Sequence, residues 1–400
     1  MKKIYLWLSL SLPLLAQRVD EVIEYSLQNN YQLQILQEES EIIGQQAKIE
    51  STWSDPILKV GVNDLQSDEP LSRNVEAMQN QFVSLSQTIP LSNRLELSAK
   101  VEQEKIMLIE ERKNLLQVNI AFGIRKAFIQ AKNARENLAI VDEYISFLKQ
   151  PMELLINLSA VERGSVERYI KTELLQNSYR LQRESWLEQI AISKERVELI
   201  GNLKIDSFEG EINHLNYHLR PLDEILFELE DQSPELKVVL AQKEIANKGV
   251  ALAKAKERAD ITVTGGYYQR FDRDDYVSFS VAYPLFVRDR QSTKKLQAIR
   301  RANIQSISYA QVKVQLEQGL KITLHQLKRA YQELQILEHN SQKIERLIAN
   351  AKDELIVGGS LVHYYELFGK RVENQLAISK KRLSIALSQN QVAQLLGEIR

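Results

Sequence analysis

The residues that come nearest to a chemical site are His214 and His218, four positions apart in a stretch that runs into Pro221. On a helix that spacing puts two imidazoles on one face, where they could clamp a transition metal. A nearby third ligand is not evident, and the chain has no cysteine to add a thiolate. The pair therefore reads as an incidental surface feature, and no bound metal is expected. The lack of cysteine also removes disulfides and thiol nucleophiles. Serine, histidine and aspartate occur throughout, yet no Gly-x-Ser-x-Gly elbow, phosphate loop or dinucleotide fingerprint accompanies them. Catalysis has no visible seat, so neither an enzyme nor a cofactor is expected. With 52 basic and 53 acidic residues the formal net charge is −1, which gives no broad basic field for nucleic-acid phosphates.

The chemistry that remains is that of surfaces, and surfaces are built by elements. Across 400 residues, 14 glycines and 8 prolines leave little punctuation, so long uninterrupted elements are expected. Lys2 and Lys3 precede an apolar run from Ile4 to Leu15 and then Ala16, the layout of a secretory signal peptide over residues 1–16. That run is too short for a spanning helix, and no later stretch approaches 18 consecutive apolar residues. Export is expected, without N-terminal lipid attachment through cysteine, and the mature chain is either soluble or a β-barrel.

Two halves of the chain repeat one another. Val19-Asp20-Glu21-Val22-Ile23 matches Leu222-Asp223-Glu224-Ile225-Leu226, and at the same offset Leu58 and Val60 match Ile261 and Val263. Ser84-Leu85-Ser86 before Pro90-Leu91 matches Ser278-Phe279-Ser280 before Pro284-Leu285 at a shorter offset, so the loop from Gln66 to Gln79 is longer in the first half. Gly164-Ser165 then corresponds to Gly359-Ser360, and Leu199-Ile200-Gly201 to Leu395-Leu396-Gly397. The repeats cover 17–201 and 221–400, with a joining segment at 202–220. Each carries helix, strand, strand, very long helix, glycine-containing turn and helix.

The long helices announce themselves by heptads. Ile120, Ile124, Ala127, Ala131, Ala134, Leu138, Val141, Ile145, Leu148, Met152 and Leu155 alternate steps of four and three. Leu316, Leu320, Thr323, Leu327, Ala330, Leu334, Leu337, Ser341, Ile344, Ile348, Ala351 and Leu355 do the same, with two small polar interruptions. This is the repeat of left-handed supercoiled helices. Long helices are predicted over about 92–162, 165–201, 291–357 and 360–397, with a kink at Pro151. At 1.5 Å per residue some 65 residues reach roughly 100 Å, longer than a globular domain needs. Charged runs such as Glu110-Glu111-Arg112-Lys113 supply their wetted side.

Strands are predicted over about 56–64, 81–90, 260–270 and 275–285. Leu58, Val60 and Val62 alternate with Lys59, Gly61 and Asn63, and Val277, Phe279, Val281 and Tyr283 alternate with Ser278, Ser280 and Ala282. One apolar face and one small, polar face fit a barrel wall between lipid and water, or an amphipathic hairpin packed on a helix. Tyr267, Tyr268, Phe271, Tyr276, Phe279, Tyr283 and Phe286 crowd the second hairpin, as a membrane-interface girdle requires.

The duplicated Leu/Val-Asp-Glu start, the strands ending Ser-x-x-x-Pro-Leu at Pro90 and Pro284, and the Gly-Ser turns at Gly164 and Gly359 resemble the outer-membrane efflux protein family, the TolC-like ducts. The resemblance covers essentially the whole mature chain. It implies a mixed α and β, mainly α-helical fold, in which four strands per protomer form a trimeric twelve-stranded barrel continued by a helical periplasmic tunnel. The implied partners are two further copies, outer-membrane lipid, a periplasmic adaptor and an inner-membrane pump. The turns Gly164-Ser165 and Gly358-Gly359-Ser360 would be the docking points. The family pattern after the second turn places His363 and Glu366 at the periplasmic constriction, with Arg168 at the equivalent place in the first half. His363 stands where a carboxylate is more usual. The cargo stays open among metal ions, drugs and polypeptides. The competing expectation is a soluble periplasmic coiled coil with its strands as capping hairpins.

Overall fold

Secondary structure follows the periodicities, with breaks where the backbone chemistry demands them. The computed structural model describes residues 17–70, 72–158, 164–209, 220–356 and 360–399. The leader at 1–16, the histidines at 214 and 218, and Gly358 and Gly359 lie outside the described residues. The first half runs β1 (Gln17–Arg18), α1 (Val19–Asn29), α2 (Tyr31–Ser51), β2 (Ile57–Asn63), β3 (Asn80–Ile89), α3 (Arg94–Phe147), α4 (Lys149–Leu158) and α5 (Ser165–Gly201). After β4 (Phe208–Glu209) the second half runs α6 (Leu222–Gln232), α7 (Pro234–Ala255), β5 (Ile261–Gln269), β6 (Tyr276–Ala282), α8 (Arg290–Ile356) and α9 (Leu361–Leu396).

The helix expected over 92–162 is broken at Leu148, and Pro151 explains where. Proline has no N–H to donate to the carbonyl four residues earlier, which is that of Phe147, the last residue of α3. Pro151 then sits in the first turn of α4, where an N–H would be unpaired in any case. Its counterpart α8 contains no proline and runs unbroken for 67 residues. Both halves also stop and restart their opening helix at matching positions. Asn30 Oδ1 accepts from the N–H groups of Gln32 and Leu33, at 2.9 and 3.2 Å, and caps α2. At the matching place Ser233 precedes Pro234, which opens α7.

The chain divides into two compact units, each drawing on both halves. The first takes residues up to Gln34, Asn114–Pro234 and Val314 onward, and is helical apart from the short parallel pair β1–β4. The heptad stripes form its core. Ile120, Ile124, Ala127, Ala131, Ala134, Val141, Leu316, Leu320, Leu327, Ala330, Ile348 and Ala351 are all buried. Thr323, a polar interruption of the stripe, is buried too, because its hydroxyl donates to the Gly319 carbonyl of its own helix at 2.9 Å. One core cluster joins Val22, Ile124, Val197 and Phe208. Phe208 lies edge-on to Phe128 at 4.9 Å, and the Arg135 guanidinium covers it at 5.6 Å.

The second unit takes Ile35–Lys113 and Glu235–Lys313 and contains a four-stranded antiparallel sheet in the order β2-β3-β5-β6. Where its strands meet its helices, Arg94 Nε donates to Asp260 Oδ2 at 2.8 Å, linking the start of α3 to the residue before β5. The Ser98 hydroxyl donates to Glu50 Oε2 at 2.6 Å and ties α3 to α2.

Candidate functional site

The sheet has its faces the wrong way round for a soluble hairpin. Val60 and Phe279 are 75% and 72% exposed, and Leu58, Val83, Leu85, Val277 and Val281 are exposed with them. Register puts these on one side of the sheet: Leu58 opposes Leu85, Val60 opposes Val83, Val263 opposes Val281, and Gly265 lies between Leu85 and Phe279. The other side is hydroxylic, and there Ser84 and Ser86 are only 5% and 8% exposed. Ser86 and Thr264 share a hydrogen bond of 2.9 Å, and Thr88 and Thr262 one of 3.0 Å. Water normally repels the apolar face that is exposed here and solvates hydroxyls such as these, which are sheltered in the inner strands. Lipid outside and water inside would reverse that preference.

Among the described residues of these strands Lys59 is the only charged one, and it lies on the hydroxylic side, paired in register with Ser84. The outer strands β2 and β6 each have one hydrogen-bonded neighbour in this sheet, so both edges are open. Four strands cannot curl into a closed barrel, and open edges invite further strands.

The aromatic residues do not form the single group expected of them. Tyr267 and Phe279 lie on the apolar side, while Tyr268 and Tyr276 lie on the hydroxylic side. Phe271 is exposed in the loop between β5 and β6, and Tyr283 and Phe286 are exposed beyond the far end of β6. Val277 pairs with Tyr267, so Tyr283, six residues further on, stands roughly 20 Å away along the strand direction. Exposed aromatics thus bracket the apolar band at both ends. At the loop end the Tyr267 hydroxyl donates to the Asp275 carboxylate.

In the helical unit, α5 starts after Gly164, whose φ of 103° is open to glycine without strain. Ser165 is buried at the first helical position, and Arg168 is half-buried in the same turn. Ser360 caps α9 by accepting from the His363 N–H at 3.3 Å. His363 and Glu366, three apart, share one exposed face of α9. The other side of those turns is fixed by rings: Phe147 stacks on Phe368 at 4.1 Å and meets Tyr365 edge-on at 5.3 Å. Tyr144 meets Tyr179 of α5 edge-on at 4.8 Å. Burial, with Tyr179 and Glu373 adding to it, pushes the Tyr144 hydroxyl above its usual range, so it stays neutral in this cluster. The start of α9 is therefore braced on α3, and its polar pair is presented outward.

No protein-family profile matches the chain, and no curated protein does. Solved structures do. The outer membrane protein VceC from Vibrio cholerae superposes with a TM-score of 0.75 at 14% identity, covering 96% of this chain and 97% of its own. The CmeC outer membrane channel of Campylobacter jejuni gives 0.75 at 15%, covering 95% and 85%. The open state of the MtrE outer membrane channel of Neisseria gonorrhoeae gives 0.74 at 16%, covering 95% and 89%. The chain has the fold of these outer-membrane channel proteins. That fold is a duplicated, mainly helical chain with a four-stranded sheet, and the match takes in 85–97% of each neighbour's chain.

Among the described residues no helix is long and apolar enough to cross a membrane, and no group of three or more metal-ligating side chains is placed to hold an ion. Sequence reasoning missed the β1–β4 pair, whose Phe208 comes from a stretch read only as a joining segment. It also missed a polar seam inside the helical unit, where Asn133 donates to Ser379 Oγ at 2.6 Å and Asn390 to the Phe122 carbonyl at 3.1 Å. The opposite facing of Tyr267 and Tyr268 did have a signal, because neighbours in a strand point to opposite sides.

Proposed function

We propose that the chain is one protomer of a trimeric outer-membrane conduit, a passive exit duct for cargo handed over by a periplasmic adaptor and an inner-membrane pump. The observation that carries the reading is the inverted sheet: an exposed apolar face bracketed by aromatics, a hydroxylic face sheltered along its inner strands, and two open edges. Three copies, each adding its β6 edge to a neighbour's β2, would give a closed wall with lipid on one side and water on the other. Likeness to channel proteins over nearly the whole chain supports the same reading. The conduit consumes nothing; direction comes from the pump.

In this assembly the helix starts after Gly164-Ser165 and Gly358-Gly359-Ser360 dock the adaptor. His363 and Glu366, with Arg168 in the matching turn, line the periplasmic constriction. The outward presentation of His363 and Glu366 from a braced helix supports a role that faces water or a partner. Alanine at both positions should change single-channel conductance and ion selectivity in planar bilayers. Identical traces would remove them from the aperture.

The conduit itself is tested by fractionation. The mature protein should leave the membrane only with detergent and migrate as a trimer that heat dissociates. A monomer recovered from the soluble fraction would favour the periplasmic coiled coil instead, although an exposed apolar sheet face argues against that outcome.

A further inference from the structure

The second unit holds a trough of about 880 Å³ along α7, walled by α3 and α8, a volume that suits a small molecule. Its apolar lining comes from Val101, Leu108, Ile245, Leu252 and Ala298. The rest of its walls is cationic. Lys105 and Arg112 lie seven residues apart on α3, and Lys294 and Arg301 seven apart on α8. Seven residues make two turns, so each pair shares one helix face with about 10 Å between its members. Lys256 adds a fifth cation just beyond α7, five residues before β5. Among the described residues no carboxylate lines the trough. In the middle Gly249 leaves α7 bare, and a Cβ there would meet nothing within 4 Å.

A merely wetted helix flank mixes its charges, as Glu110, Glu111, Arg112 and Lys113 do in sequence, and the whole chain is balanced at 52 basic and 53 acidic residues. Composition therefore does not account for five cations and no carboxylate around one hollow. Two carboxylates outside the lining reach the cations nearer the sheet. Glu102 pairs with Lys105 at 2.7 Å, and Glu50, bonded first to Ser98, also feels Lys256 and Lys105. Arg112, Lys294 and Arg301 have no ion-pair partner among the described residues. Like charges gathered beside an apolar surface repel one another until an anion joins them.

We propose that this trough binds an organic anion with an apolar body. The acid group takes the Arg112, Lys294 and Arg301 side chains, and the body covers Leu108, Ile245 and Leu252 in the space above Gly249. A small inorganic anion would leave the apolar lining bare, and an organic cation would be repelled from both walls. Every lining residue belongs to one protomer, so the inference does not depend on the conduit reading. A free solute and an anionic lipid share this chemistry.

The experiment is isothermal titration calorimetry of the purified protein in non-ionic detergent at low salt, where charge interactions are least screened. The probe is 2-naphthalenesulfonate, with 2-naphthyltrimethylammonium as the same ring of opposite charge and methanesulfonate as the acid group without the body. Wild-type protein should bind the first saturably, one per protomer, and neither of the others. Gly249→Leu fills the trough without touching its charges, and leucine suits a helix interior better than glycine; it should weaken binding tenfold or more. Lys294→Gln with Arg301→Gln should weaken it about tenfold, the effect of losing two exposed ion pairs. Lys254→Gln, exposed on α7 outside the trough, should leave it unchanged. Displacement by dihexanoylphosphatidylglycerol more than by decanoate would name a lipid headgroup as the source of the anion, and the reverse order a free carboxylate. No saturable wild-type binding, or equal binding of the naphthyl cation or of methanesulfonate, would overturn the proposal. So would wild-type affinity in Gly249→Leu or in the double glutamine variant.

Discussion

Phe279 and Ser280 are neighbours in β6 and both are exposed, yet they should respond oppositely to the same substitution. Phe279 is the middle residue of the strand, which spans Tyr276–Ala282, and it lies on the apolar side in one row with Leu58, Leu85 and Gly265. Ser280 lies on the hydroxylic side opposite Thr264. In a wall between lipid and water, Phe279→Arg puts a guanidinium near the middle of the hydrocarbon, at a cost of about 2–4 kcal/mol per copy. Three copies bring that to roughly 6–12 kcal/mol for a trimer, comparable with the whole stability of a folded domain. Ser280→Arg faces water and should cost less than about 1 kcal/mol. The assay is folding of each variant from urea into lipid vesicles, followed by the heat-dissociable trimer band. Ser280→Arg should give near wild-type trimer; Phe279→Arg should give little or none. Were the sheet a soluble hairpin, both arginines would be solvated and Phe279→Arg would if anything improve solubility. Equal trimer yield from the two variants would refute the assignment of faces.

Lys59→Glu reverses the one charge on the hydroxylic face of the strands, so under a salt gradient the reversal potential should move toward cation selectivity by several millivolts or more. Ile124→Ala removes a fully buried side chain from the core around Val22, Val197 and Phe208. It should cost about 2–5 kcal/mol, seen as a lower melting temperature of the detergent-solubilised protein. The Glu50 carboxyl is held below its ordinary range, chiefly by the Ser98 hydroxyl, against partial burial that raises it. A lowered folded-state value means this stabilisation is present above the unfolded carboxylate pKa, near 4.3, and is lost as pH falls through the folded value. Ser98→Ala should therefore cost about 1 kcal/mol of stability at pH 7 for this half-exposed carboxylate, read as a lower urea midpoint, and the deficit should shrink toward pH 3.

The periodic parts of the fold were legible because their periods report burial directly. The three-four stripe from Ile120 to Leu155 is buried or half-buried throughout, and the matching stripe of α8 tolerates Thr323 because a threonine can satisfy its hydroxyl within its own helix. The alternation in β2, β3, β5 and β6 marked two faces but could not say which medium each would meet. That depends on exposure, which the pattern does not carry: in the structure Val60 is exposed and Ser84 buried. The aromatics were pooled by proximity in sequence, although the period of two separates Tyr267 from Tyr268 and the pairing of Tyr268 with Tyr276 carries the split to the next strand. The Asn133–Ser379 and Asn390–Phe122 bonds were not legible at all, since partners more than 240 residues apart leave no local mark.

The two units owe their stability to different surroundings, and that difference has a consequence for assembly. Although Leu181, Leu199 and Phe227 stay exposed on it, the helical unit buries its heptad stripes against its own chain. The sheet does not. Its apolar face is uncovered at Leu58, Val60, Val83, Leu85, Val277, Phe279 and Val281, and its two edges are unpaired within the sheet. Burying such side chains contributes on the order of 1.5–3 kcal/mol each, and in a single protomer in water that contribution is forgone along the whole face. It becomes available only when lipid covers the face, and the ladder hydrogen bonds at the edges only when neighbouring strands arrive. Closure and insertion are therefore expected to be coupled: neither a lipid-bound open sheet nor a closed barrel in water satisfies both the edges and the apolar face. Mixing wild-type chains with Phe279→Arg chains should then remove trimers more steeply than in proportion to the variant fraction, because one defective wall segment exposes the edges of its two neighbours.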